Sequence, residues 1–541
     1  MNLPRMRWLA VVFGIGFALK LIAAPDNVDG KDAATYSWMN APTEEASRVL
    51  AAEERLQQAI NNPEYLINNW VDLPTAPDAS NKKPKRLSLR EAILLALRYN
   101  PNIQNAELDR IIQRYQIRLA HNEFELQYAL AGSAVAQRTR FSGVGSTNSS
   151  SALATPELNL KTKLGTQLSL NLDNNVSNYN SFTPVLNLSI TQPLLRGFGK
   201  EVNEAGLLNA LDNEWLNKLN LQQSVSDQIT QVIMAYRALI LSGNNLENQR
   251  LQLKEARRTY GINEKKIKAG QLEPTANIQQ SYQIESLKLL VEQAENDFQT
   301  AAQDLLQTIG LDPKMRLSVP SDVALEKIVI PNLQQSIDLA LNHNTQFLAL
   351  KMLIRADERA YKLAKNQQLW QLDVGANVQS GNVTDVNSVT SNGFRNIYNG
   401  QNITEAARVS LTIPIHDLNR RSQLINAKVK LEKDRLNLIA AKRALETNIT
   451  NIINNINSLA KRYQLAQKQV KLAAQSYALE KKRLEAGIAT SLDVNNTQNQ
   501  LIQAQAGLIS AKIAYLNQLS ALQLLLGTTL ESWQIKLRYG K

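Results

Sequence analysis

The sequence predicts a mainly helical chain that also carries part of a transmembrane β-barrel. Its long coiled-coil helices are expected to form an α-barrel in an oligomer, with about four strands per chain. Three observations predict this. A strand-like alternation in "LNLSITQPLLRGFG" empties into a proline-free tract that runs from Leu194 to Glu273. The same order of features occurs twice along the chain. The first residues have the make-up of an export signal.

That first segment, residues 1–24, has Arg5 and Arg7 followed by an apolar core from Trp8 to Leu19. About a dozen apolar residues suit a signal peptide and are too few to span a bilayer as a helix. Ala23 and Ala24 supply small residues near a cut, although Pro25 suits a cleavage site poorly. Residues 25–86 read as a periplasmic extension. They contain one helical stretch, "TEEASRVLAAEERLQQAI", and a basic cluster, "NKKPKR", in a polar linker.

Two units follow, 87–331 and 332–530, with a tail at 531–541. "LREAILLALRYNPNIQ" from Leu89 aligns with "LQQSIDLALNHNTQFL" from Leu333. Pro193 aligns with Pro414, and the tip pair Ala269 and Gly270 with Ala486 and Gly487. Each unit should run as one helix (Leu87 to Glu123, or Asn332 to Gln368), then strands, a long helical tract and a returning helix. A tract of about 70 residues would span roughly 105 Å, about twice each short helix, so stacked pairs of short helices should flank each long one.

The packing mode is also legible. Leu445, Ile449, Ile452, Ile456, Leu459 and Tyr463 alternate steps of four and three, as do Val225, Ile229, Val232, Tyr236 and Leu239. These are coiled-coil seams. The strand regions differ. Leu158, Leu160, Leu168, Leu170 and Leu172 alternate with polar residues, as do Val374, Ala376 and Val378, and Val409 and Leu411. Apolar-out, polar-in alternation suits a barrel wall around a wet lumen, and equally a half-buried soluble sheet. The polar stretches "SGVGSTNSSSALAT" and "SGNVTDVNSVTSNGFRNIYNGQ" read as long outward loops and favour the barrel. Helices on one side of the membrane require an even number of crossings per unit. Two are expected in the second unit, and two in the first once one candidate segment is set aside as an excursion. About four strands cannot close a barrel alone, so the chain must oligomerise. Pro193, Gly197 and Gly199, and Pro414 in the second unit, mark where a strand hands over to a helix.

Chemistry is sparse. The chain has no cysteine and three distant histidines, with no phosphate loop or nucleophile elbow. No enzyme activity, cofactor or metal is expected. The net charge of +12 is interspersed with acidic residues along helices, which reads as solvated faces and not as a nucleic-acid site.

"QPLLRGFG", the doubled Ala-Gly tips, "LDV" at Leu492 to Val494 and "YLNQLSALQLLLGTTL" from Tyr515 together resemble the TolC-like outer membrane efflux protein family. The resemblance covers about Leu87 to Leu530. It implies a homotrimer in the outer membrane lipid of a Gram-negative bacterium. It further implies a long periplasmic extension, an equatorial region near Asp312 to Pro331, and docking of the helix tips to a periplasmic adaptor and an inner-membrane transporter. The implied function is the exit duct of an efflux or type I secretion system. An acidic ring at the family's tip maps onto Asp493 and Asn496, of which only the first keeps a carboxylate. A tip-locking arginine of the family falls on Ala489. A secreted coiled-coil fibre or adhesin is the competing expectation.

Overall fold

The structure, a computed structural model, describes residues 85–537 apart from 144, 178–180, 272, 274, 319, 321, 323–326, 382–393, 395–396, 398–401 and 487. The chain divides into a unit Met1–Asn69 and a unit Trp70–Lys541, and everything below concerns the second. The expected leader, residues 25–84 of the expected extension, and Gly487 lie outside the described residues.

Chain order begins β1 (Lys85–Arg86), α1 (Leu89–Tyr99), α2 (Pro101–Asn122), β2 (Gln127–Phe141), β3 (Gly145–Lys161), β4 (Gln167–Ser177) and β5 (Ser181–Pro193). It continues with α3 (Lys200–Asn203), α4 (Ala205–Lys268), α5 (Ala276–Ile309), β6 (Leu317–Ser318), α6 (Leu333–His343) and α7 (Thr345–Asn366). β7 (Gln371–Gly381), β8 (Ile403–Thr412), α8 (Leu418–Glu485), α9 (Ser491–Leu526) and α10 (Thr529–Ser532) complete it.

The single helix expected from Leu87 to Glu123 is two helices. Pro101 lacks an N–H and drives the preceding residue out of the helical region. Asn100 accordingly sits at φ −69°, ψ 120°, and its side chain accepts from the Asn102 and Ile103 N–H groups to start α2. The helix expected from Asn332 to Gln368 breaks in the same way at Asn344, without a proline. There the side chain caps α7 through the Phe347 N–H.

The long tracts are unbroken. α4 has 64 residues and α8 has 68, so each is close to 100 Å long. α5 folds back along α4, and α9 along α8. α2 and α7 also lie against α4, and α7 reaches across to α8, so the helical columns run in the order α2, α4, α7, α8. Two apolar clusters fix them. One gathers Leu87, Ile93, Ile229, Ile233 and Leu305, and the other Ile449, Ile456, Tyr515 and Leu522. Each fully buried side chain contributes about 1.5–3 kcal/mol. The seam residues of α4 are all buried. In α8, Leu445, Ile449, Ile456 and Tyr463 are buried, but Ile452 is half-buried and Ile453 takes the inner position beside it.

β1 and β6 form a small parallel pair. The main sheet is antiparallel throughout, in the order β2-β3-β4-β5-β7-β8. It has six strands where about four were expected. Two features of the first unit account for the difference. Leu158 to Leu172, which alternates like one strand, is split by a turn at Gly165, whose φ is +98°. An added Cβ there would stand 2.5 Å from the Gly197 carbonyl oxygen, so only glycine fits this close approach. In addition, most of the polar stretch read as an outward loop is strand β3. Serine and threonine favour turns by local hydrogen bonding, but ladder partners on both sides override that preference.

Candidate functional site

Three places in this fold are set up to act: the tip, the junction between sheet and helices, and the two free edges.

At the tip, α4 ends at Ala269, and Gly270 follows in the left-handed region at φ +70°. The Gln271 N–H reaches the Lys266 carbonyl at 2.8 Å and the Gly270 N–H that of Ile267 at 3.0 Å, which closes the helix end as a Schellman turn. α8 ends at Ala486 with the corresponding bond from the Ile488 N–H to the Arg483 carbonyl, 2.8 Å. α9 then starts from Thr490. The Asp493 N–H donates to the Thr490 hydroxyl oxygen at 3.3 Å, and the Thr490 N–H and O–H donate to the Asp493 carboxylate at 2.9 and 2.6 Å. This capping box satisfies two otherwise orphaned N–H groups at the helix start. The Thr490 hydroxyl, its backbone N–H and the charge of Arg483 hold the Asp493 carboxyl below its ordinary value. Asn496 is exposed on the same turn of α9. A contact that the sequence did not suggest lies beside them: Asn495 is hydrogen-bonded to the buried Thr259 of α4.

At the junction, Pro193 is the last residue of β5. Gly197 and Gly199, at φ +83° and +104°, turn the chain toward α4. The Gly197 N–H is held by Asn366 Oδ1 at 2.8 Å, and Asn203 donates to both glycine carbonyls. In the second unit Pro414 lies between β8 and α8, and Asp417 caps α8 through the Arg420 N–H.

Below the junction, ion pairs tie the columns together. Buried Arg110 of α2 makes a two-pronged pair with Glu214 of α4 at 2.5 and 2.8 Å. Arg359 of α7 pairs with Asp212 of α4, and Lys430 of α8 with Asp357 of α7. Burial pushes Glu214 up, but the Arg110 hydrogen bond and the charges of Arg110, Lys218 and Arg114 outweigh it and leave the carboxyl below its ordinary value.

The free edges carry apolar stripes. At one edge of the layer, Ile278, Tyr282 and Leu289 of α5 are exposed; at the other, Leu465, Leu472 and Leu479 of α8. Nothing within the described chain covers them. Among the described residues, no helix is long and apolar enough to cross a membrane, and no group of three or more His, Cys, Asp or Glu is placed to hold a metal ion.

A two-faced antiparallel sheet continued by columns of coiled coil is the build of the TolC-like outer-membrane channels, and known proteins bear that out. Residues 336–528 match the sequence family described as outer membrane efflux protein. The alkaline protease secretion protein AprF of Pseudomonas aeruginosa is 20% identical over 352 residues, 64% of this chain and 70% of AprF. Two solved structures show the fold. The outer membrane protein VceC of Vibrio cholerae superposes with a TM-score of 0.60 at 17% identity, over 81% of this chain and 96% of VceC. The open-state MtrE outer membrane channel of Neisseria gonorrhoeae gives 0.61 at 15% identity, over 85% of this chain and 98% of MtrE. The expected kinship with TolC-like efflux proteins and the expected outer-membrane address are both borne out. These relatives are channel and secretion proteins, not enzymes.

Proposed function

We propose that the chain is the outer-membrane exit duct of a tripartite efflux or type I secretion system. It works as a homotrimer that receives cargo from a periplasmic adaptor and an inner-membrane transporter. The observation that carries the closed ring is the match between the two exposed stripes, and the count of three follows from the resemblance to TolC-like channels. Ile278 is eight residues beyond the Gly270 tip and Leu479 eight before the Gly487 tip, so both stand about 12 Å up the column. Leu289 and Leu465 stand about 29 and 33 Å up by the same measure. Two stripes of equal height on opposite edges of one layer fit each other when a copy is repeated around an axis, which closes a ring.

In this reading Ala269, Gly270, Ala486 and Gly487 present the tips to the adaptor, and Asp493 with Asn496 lines the narrow end. The units 87–331 and 332–530 are two copies of one plan. The matched asparagine breaks support that: Asn100 Nδ2 donates to the Thr308 carbonyl at 2.7 Å, and Asn344 Nδ2 to the Leu525 carbonyl at 2.9 Å. Residues 1–24 act as the leader, 25–86 as a periplasmic extension and 531–541 as a periplasmic tail.

Native mass measurement in detergent tests the assembly, with a trimer expected and a stable monomer against it. Affinity purification from cross-linked envelopes should bring down an adaptor and an inner-membrane transporter. Release of the protein by washing without detergent would favour a surface fibre instead.

A further inference from the structure

Six strands are more than the parity of crossings demanded, and the surplus is the pair β3 and β4. We propose that this pair is part of the membrane wall and not an outward excursion. Three copies then close an eighteen-stranded barrel with a bore in the porin range. The inference rests on the homotrimer proposed above.

Four observations lead here. First, the apolar face is continuous through the surplus strands. Tyr128 pairs with Leu158, Leu158 with Leu170, Leu170 with Leu188 and Leu188 with Val378, one row across five strands. The next row carries the face to β8 through Ala376 and Ala407. Glu405, opposite Val378, lies at the outer end of β8. An excursion standing in water would have no reason to continue a lipid-facing band.

Second, the opposite face is knitted across the same strands. The Asp173 carboxylate on β4 accepts from Thr155 on β3 at 3.1 Å, and from Asn171 on β4 and Asn187 on β5 at 3.0 Å each. Thr155 is only 5% exposed. A polar network of this kind belongs to a lumen wall.

Third, the lower end of the pair stands on the helix heads like the other strands. Lys161 pairs with Glu123 at the end of α2, and Lys163 with Glu204 at the start of α4. The Gly199 N–H donates to the Leu164 carbonyl at 3.2 Å.

Fourth, the widths agree. Four helical columns at about 10 Å each are about 40 Å wide. Strands spaced about 4.8 Å and tilted about 40° each take about 6.3 Å of circumference, so six cover about 38 Å and four only about 25 Å.

The edges complete the reasoning. β2 and β8 end the sheet, and unpaired backbone groups are not tolerated in hydrocarbon. β8 of one copy must therefore pair with β2 of the next. The part of β2 that outruns β4 carries Arg138 and Arg140, beyond the Ser151–Ser177 pair, which suits a lip outside the bilayer.

Single-particle electron microscopy of the protein in lipid nanodiscs tests this. A three-fold particle with an outer barrel about 36 Å across is expected, whereas twelve strands would give about 24 Å. A three-fold particle with the narrow barrel overturns the wall assignment and leaves the trimer standing. A particle without three-fold symmetry overturns both. A second measurement uses the absence of cysteine in the chain. A fluorophore on Leu170→Cys should be quenched by brominated lipid at least about twofold more than one on Asn171→Cys, because alternate residues face lipid and lumen. Equal quenching at the two positions would show that β4 is not in the wall.

Discussion

Asn495 of α9 donates its side-chain amide to the Thr259 hydroxyl of α4 at 2.9 Å, joining residues 236 apart in sequence just above the tip. Thr259 is buried and Asn495 half-buried, so the bond is partly shielded from water. If the tip opens by parting these helices, the bond is lost on opening. Removing it with Thr259→Val keeps the shape and takes away about 1 kcal/mol, or about fivefold in the closed-to-open ratio. Bilayer recordings of the variant should show more frequent openings. An unchanged open probability would mean that α4 and α9 move together.

The breaks at Asn100 and Asn344 are joints, each tied to the end of a returning helix. Asn344→Ala removes a cap worth about 1–2 kcal/mol. It also removes the bond to the Leu525 carbonyl, about 1 kcal/mol more. The glycines that receive these joints should be no more tolerant. At Gly310 (φ +90°) an added Cβ would stand 2.2 Å from the Tyr99 carbonyl oxygen, and at Gly527 (φ +72°) 2.6 Å from that of His343. Gly310→Ala should cost on the order of 2–3 kcal/mol through strain and backbone overlap. Thermal unfolding in detergent should rank Gly310→Ala at or below Asn344→Ala, with both below the parent. A Gly310→Ala protein that melts like the parent would remove the joint from the account.

What could be read in advance follows from which forces are local. The seams of α4 and α8 were legible because burial repeats every three or four residues along one element. The break at Asn100 had a visible signal in Pro101. The one at Asn344 had only its alignment with Asn100, and a lone asparagine is a weak signal. The strand character of 145–155 was hidden because a serine-rich run favours turns locally, and only its ladder bonds to β2 and β4 override that preference. The Thr259–Asn495 contact was hidden because two polar residues on different helices carry no periodic mark. The exposed Leu465, Leu472 and Leu479 repeat every seven residues and could have been found as a second stripe on α8.

The centre of the second seam gives a direct test of packing. Ile456 is fully buried, whereas Ile452 is half-buried. Ile456→Asp places a charge in an apolar cluster and should cost about 3–5 kcal/mol, enough to prevent assembly. Ile452→Asp should be milder, since its carboxylate can turn toward water. Equal loss of trimer in both variants, measured by native mass, would contradict the difference in burial.

Acid should loosen the columns at the Arg110–Glu214 pair. Glu214 is held below its ordinary value of 4.5, so the folded state binds its proton less readily than the unfolded chain. Its contribution is complete well above pH 4.5 and fades as the pH falls through the lower folded value. Glu214→Gln should lower stability at neutral pH and flatten the acid limb of the melting-temperature profile. Asp357 has the opposite sign. Burial and the neighbouring Asp434, opposed by Lys430, raise its carboxyl above the ordinary value, so taking up a proton there favours the folded state, the reverse of Glu214. A Glu214→Gln profile that overlays the parent would mean that the pair contributes nothing to the fold.

Asp493 can serve as a helix cap, as a selectivity carboxylate, or as both, and two substitutions separate the roles. In a trimer the three carboxylates would stand around one axis at the narrow end. Charges of one sign in a confined pore concentrate potential and favour the opposite ion. Thr490 holds the carboxyl below its ordinary value of 3.8, whereas three like charges gathered at one axis would push it back up, so cation preference should weaken as the pH is lowered. Asp493→Asn removes the charge and weakens the cap. Thr490→Ala removes the capping hydroxyl and leaves the charge. If the carboxylate acts on ions, reversal potentials measured across a salt gradient should show reduced cation preference in Asp493→Asn and a near-parental value in Thr490→Ala. If it acts only as a cap, both variants should keep the parental selectivity and share a small loss of stability. Their parallel behaviour would then place the constriction elsewhere along the duct.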